Sequence, residues 1–220
     1  MNKRNIAIII VVIILVMGGL VFVKLHGSDL QVSELMKIKT ELEMNETQKA
    51  LFSELEINLK KDPSDYSLLF KLARLKQDML DWDGAVELYN KLLEEKPDDT
   101  LVLNNLGTIY FDSKQYEKAE EIQLKIIAKT PKWVGAYREL MMIYRYHLKD
   151  KAPILEDKLL YGYENFADEL EQDFTSMLAV YYDEIMGDPI KAKQYYERLA
   201  ELRPGDEGIQ SRLIEIRDIK

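Results

Sequence analysis

The sequence contains no cysteine. That absence removes disulfides, thiolate metal ligation and a cysteine nucleophile together. Histidine is nearly missing as well. His26 and His147 are the only two, and neither has a His or Cys neighbour at metal-ligand spacing. A metal site is therefore not expected. No Gly-x-Gly-x-x-Gly run, no phosphate-binding loop and no Ser/His/Asp arrangement occurs. The chain does not read as an enzyme, and no catalytic or cofactor-binding residue is expected. Positive charge is in short supply: the net charge is −9. A nucleic-acid partner calls for a basic face, so nucleic acid is not expected either. Six prolines and ten glycines in 220 residues leave little room for long linkers. Disorder is disfavoured by a hydrophobic share of 47%, with 10% aromatics.

What is present begins with a short basic end, residues 1–5, carrying Lys3 and Arg4. Residues 6–23 then hold no charge and no strongly polar side chain. As a helix these 18 residues reach about 27 Å, close to the hydrocarbon thickness of a bilayer. A surface helix of a soluble protein shows a polar stripe, and this stretch has none. A single transmembrane anchor is expected. The basic end places the N-terminus in the cytoplasm and the acidic remainder outside it, in a bacterial-type cytoplasmic membrane. The alternative is a cleaved signal peptide that releases an exported soluble binding module. Lys24-Leu25-His26-Gly27-Ser28 follows the apolar run and offers no small-residue cleavage site. Residues 24–45 read as a juxtamembrane helix or linker, with Leu35, Ile38 and Leu42 on one face.

From residue 46 the chain repeats itself every 34 residues. Leu69, Leu72 and Ala73 recur as Leu103, Leu106 and Gly107, Ala85 recurs as Ala119, and Pro63 recurs as Pro97 and Pro131. Leu51, Leu55 and Leu59 stand one period before Ala85, Tyr89 and Leu93, so the leading segment reads as the second helix of an incomplete repeat. Tyr137, Leu140 and Tyr144 carry the period into a third repeat, which then drifts: Pro153 stands where alanine is due. The pattern returns with Leu178, Ala179, Tyr182, Ala192 and Pro204. Pro131 and Pro204 are 73 residues apart, two periods plus five, so the third repeat is lengthened. A last amphipathic helix, 208–219, reads as a C-terminal cap.

This pattern resembles the tetratricopeptide repeat (TPR). Leu103, Leu106, Gly107, Tyr110, Ala119 and Pro131 stand at its defining positions, with departures at Lys76, where the family prefers tyrosine, and Gln123, where it usually has an aromatic. The resemblance implies an all-α chain: a transmembrane helix, then an α-solenoid of helix-turn-helix repeats forming a right-handed superhelix over 46–220. The best repeats are 65–97 and 98–131, followed by the lengthened 132–169 and by 170–204. The family's solenoids bind through the concave side, lined by the first helix of each pair. On that expectation the peptide-binding groove holds Phe70, Arg74, Asn104, Asn105, Thr108, Phe111, Arg138, Met142, Arg145 and Tyr146. Its arginines suit a peptide with acidic and apolar residues. Of the family's clamp for a terminal carboxylate, only Asn105 matches; Phe70, Arg74, Gly135 and Glu139 occupy the other places. The expected function is a membrane-anchored protein-interaction scaffold, serving assembly or maturation of an envelope complex. The sequence does not set its oligomeric state.

Overall fold

The computed structural model describes residues 44–217. The expected anchor, 6–23, and nearly all of the stretch 24–45 lie outside them. Among the described residues there are ten α-helices and no strand, and no helix is long and apolar enough to cross a membrane. The chain divides into two compact units, one ending at Ala85 and one beginning at Val86.

The first unit contains α1 (Glu46–Lys61) and α2 (Tyr66–Asp78), which pack on each other. Asn45 starts α1 with a reciprocal cap: its side chain accepts from the Gln48 amide, and Gln48 accepts from the Asn45 amide. Asp65 caps α2 by accepting from the Leu68 amide at 2.9 Å. Leu55 of α1 and Leu69, Leu72, Ala73 and Leu75 of α2 are buried. Leu51 is 40% exposed, so the apolar stripe of α1 is narrower than its leucines suggest. The unit boundary falls inside α3 (Trp82–Glu95).

The second unit contains α4 (Thr100–Asp112), α5 (Tyr116–Lys129), α6 (Val134–Tyr146), a 3-10 turn (Lys149–Lys151), α7 (Ile154–Asn165), α8 (Ala167–Val180), a π-helical segment (Tyr181–Ile185), α9 (Pro189–Leu202) and α10 (Glu207–Ile216). The last described helix, α10, starts at Glu207; residues 218–219 of the expected C-terminal helix lie outside the described residues. Small residues set the closest approaches. A Cβ on Gly107 would lie 2.5 Å from Nε2 of Gln123, and a Cβ on Gly162 only 2.1 Å from the Phe174 ring. Ala119, Tyr137, Leu140, Ile143, Tyr144 and Phe174 are among the fully buried side chains.

The 34-residue period is written in the backbone hydrogen bonds. The amides of Asp62, Lys96 and Thr130 close their helices on Asn58, Leu92 and Ile126. Those of Asp81 and Gln115 reach back five residues to Lys76 and Tyr110. Leu80 and Lys114 each take a left-handed conformation, with φ of 60° and 62°, where the chain leaves the first helix of a pair.

The five extra residues can also be placed. Tyr110 to Tyr144 spans one period, whereas Tyr144 to Tyr182 spans 38 residues, so four are absorbed before Tyr182. The 3-10 turn and a break in α8 at Leu170 (φ −129°, ψ 17°) lie in that interval. The fifth lies in the π segment. There the Asp188 amide reaches back six residues to Tyr182, and Gly187 (φ 66°) takes the left-handed place.

Candidate functional site

The first helices of the second and third repeats, α4 and α6, carry eight of the ten residues expected in a groove. Phe70 and Arg74, one turn apart on α2, belong to the other unit; Phe70 is half-buried and Arg74 exposed. On α4, Asn105 Nδ2 donates to the Leu101 carbonyl at 2.8 Å, and Thr108 Oγ1 donates to the Asn104 carbonyl at 3.0 Å. Both side chains are bent onto their own helix. Phe111 stands edge-on to Tyr116 and to His147, whose rings stack on each other at 3.6 Å and 7°. His147, at the C-terminal end of α6, pins that end to α5 through the stack.

On α6, Met142 and Tyr146 are 47% and 52% exposed. The flanking arginines already have partners. Arg138 Nη2 donates to Asp173 of α8 at 2.5 Å, and Arg145 pairs with Glu184 of the π segment while lying 5.1 Å from the Tyr146 ring. These acids stand in the recovered fourth repeat, so both ion pairs join the third repeat to the fourth. They are largely solvent-exposed and contribute at most about 1 kcal/mol each to stability. The expectation that these arginines wait for a partner's carboxylate is corrected on this ground: the carboxylates are supplied from within.

Glu139 lies on α6 one residue from Arg138, and its buried side-chain partner is Gln123 of α5. Gln123 is fully buried, and its Nε2 donates to Glu139 Oε2 at 2.5 Å. Its Oε1 has no donor. The missing side chain of Gly107 makes the space this amide occupies. Among the described residues no lysine or arginine forms an ion pair with Glu139 or with the exposed Asp112 at the end of α4. Burial, and then the charge of Asp112, push the Glu139 carboxyl up to about 7.

Two further polar clusters are self-satisfied. Glu120, buried on α5, accepts from the Tyr144 hydroxyl at 2.9 Å and from Lys151 Nζ at 2.5 Å. Asp183 accepts from Arg212 Nε at 2.7 Å and from the Tyr196 hydroxyl at 3.0 Å. The Arg212 guanidinium holds the Asp183 carboxyl below the usual range. Around it lies an open depression of about 530 Å³ that includes Glu184, Asp206 and Ile209. Its central ion pair fixes α10 to the π segment.

The comparisons with known proteins agree with this geometry. The sequence pattern of the tetratricopeptide repeat matches residues 77–141 and again 176–206. Residues 77–141 and 176–206 carry tetratricopeptide repeats. A tetratricopeptide repeat protein from Parabacteroides merdae is 15% identical with a TM-score of 0.60, over 77% of this chain and 65% of that one. The chain thus spans less than two thirds of that relative's length. The MamA protein is 24% identical with a TM-score of 0.53, over 69% and 80% of the two chains. YrrB, a TPR protein with an unusual peptide-binding site, is 16% identical with a TM-score of 0.50, over 74% and 81%. At these identities the likeness is one of fold. No curated protein matches the chain.

Neither the Gln123–Glu139 contact nor the pairing of the arginines was expected from sequence. One signal pointed to the first: Gln123 stands where the repeat usually places an aromatic.

Proposed function

We propose that this chain is a membrane-anchored, non-catalytic interaction scaffold that takes a segment of a partner protein across the face formed by α4 and α6. The observation that carries the reading is the exposure of Met142 and Tyr146 on α6, a helix whose other face is buried in the core. Exposed large apolar groups on a rigid helix face are a common basis for peptide capture. The peptide-binding site of YrrB, a protein of the same fold, supports the same use here. The apolar run 6–23 supports tethering at a membrane with the repeats outside the cytoplasm. A tether raises the local concentration of the face for membrane partners, which suits assembly or maturation of an envelope complex.

The test is a peptide-display selection on the full chain in detergent, followed by binding measurements with Met142→Ala/Tyr146→Ala. Enriched peptides are expected to bind the wild type and to lose roughly tenfold or more in affinity for the double variant. Helical content should not change, because both side chains are exposed. A selection that yields only peptides insensitive to the two substitutions refutes this face as the binding surface.

A further inference from the structure

Resting on that reading, we infer that Trp133 is a binding residue of this face: its ring packs on an extended, uncharged segment of the partner, and its indole N–H donates to a main-chain carbonyl of that segment. Trp133 stands just before α6 with its backbone fixed. Its amide donates to the Thr130 carbonyl at 2.9 Å, and its carbonyl accepts from the Ala136 amide at 3.1 Å. The side chain turns over the first turn of the helix. A Cβ on Gly135 would lie 3.0 Å from Trp133 Nε1 and 3.5 Å from Cδ1. The indole thus stands where a side chain of residue 135 would point. Met142 and Tyr146 come seven and eleven residues after Gly135. At 3.6 residues per turn all three positions share one side of α6, within about 20°. The exposed Trp133, Met142 and Tyr146 therefore form a single row. One period earlier, the place of Gly135 is held on α4 by the exposed Leu101.

The chemistry of the row selects its occupant. Trp133 is 36% exposed, and among the described residues nothing accepts from its Nε1 and no ring stacks on it. Tryptophan offers large apolar area at a small loss of side-chain freedom, and its N–H calls for an acceptor once covered. A helical ligand spends its carbonyls on its own amides, whereas an extended one presents them. From residue 135 to 146 the row runs about 16 Å, the length of roughly five extended residues. The charged groups beside it are already matched: Arg138 by Asp173, Arg145 by Glu184, and Glu139 by the Gln123 amide. A charged side chain laid along the row would lose water and gain no counter-ion. The favoured segment is therefore apolar and neutral.

The test uses the full chain in detergent and an end-capped peptide of alternating leucine and serine. Trp82→Phe leaves Trp133 as the only tryptophan. Its emission should move to shorter wavelength and saturate as the peptide binds. By calorimetry, Trp133→Ala should weaken binding roughly tenfold. Trp133→Phe keeps a ring without a donor and should weaken it roughly threefold. Peptides with lysine or glutamate in place of serine should both bind more weakly. Helical content should not change, because the side chain is exposed. The inference is overturned by no binding of the leucine–serine peptide, by an emission that stays put while it binds, or by wild-type affinity in Trp133→Ala. Wild-type affinity in Trp133→Phe, or equal binding of the charged peptides, overturns the assigned chemistry. Emission that depends on protein concentration without peptide gives the ring to a second copy, and quenching by brominated lipid gives it to the membrane; either also overturns the inference. The interaction reading survives all of these. It falls only if display selection finds no peptide sensitive to Met142→Ala/Tyr146→Ala.

Discussion

The half-buried Glu139 makes the stability of the repeats depend on pH in an unusual direction. Its carboxyl ordinarily titrates near 4.5 and here is pushed up to about 7, first by burial and then by Asp112. The folded chain therefore holds this proton more firmly than the unfolded chain does. The stability it contributes is complete below pH 4.5 and is lost as the pH rises through 7. At 1.36 kcal/mol per pH unit the full effect is roughly 3 kcal/mol. Glu139 is only partly buried, so about 1–2 kcal/mol should survive solvent screening. For a domain of this size that is roughly 2–8 °C in Tm. The perturbation is Glu139→Gln. The new amide keeps an acceptor for Gln123 Nε2 and has no proton that titrates in this range. Wild type and variant are compared by urea midpoint and thermal melting at pH 5 and pH 8. The wild type should lose stability over that interval relative to the variant, by the amount given. Asp183, held low by Arg212, acts near and below pH 4 and leaves the window clear. Equal pH dependence in the two chains refutes the claim that Glu139 is buried without a counter-ion.

The remaining predictions concern packing and placement. Gly162→Ala should destabilise the second unit by about 1–3 kcal/mol in urea unfolding, because its Cβ would enter the Phe174 ring. Ala119→Leu should cost a similar amount, about 1–3 kcal/mol, at a fully buried position. Tyr144→Phe removes one of two donors to the buried Glu120 and should cost about 1–3 kcal/mol, with Lys151 keeping the carboxylate partly satisfied. Protease added on the outer side of the cytoplasmic membrane should digest the repeats and leave the anchor. Protection would reverse the proposed orientation, and a mature chain lacking residues 1–23 would favour the exported soluble form.

Local chemistry with a fixed spacing was readable from the sequence; contacts across the irregular repeat were not. Asp65 and Asp99 cap their helices one period apart, and Ala73, Gly107, Ala85 and Ala119 are buried where helices meet, because these roles depend on neighbours within one repeat. The spacing of Pro131 and Pro204 disclosed five extra residues but not where they go, since a 3-10 turn, a break at Leu170 and a π segment leave no residue signature. That placement decides the chemistry of the face. The insertion sets the register that carries Asp173 and Glu184 to Arg138 and Arg145. A second irregularity is Gln123 in place of an aromatic ring: its amide gives Glu139 one donor and leaves its own Oε1 unmatched, a contact between α5 and α6 that the repeat pattern does not encode.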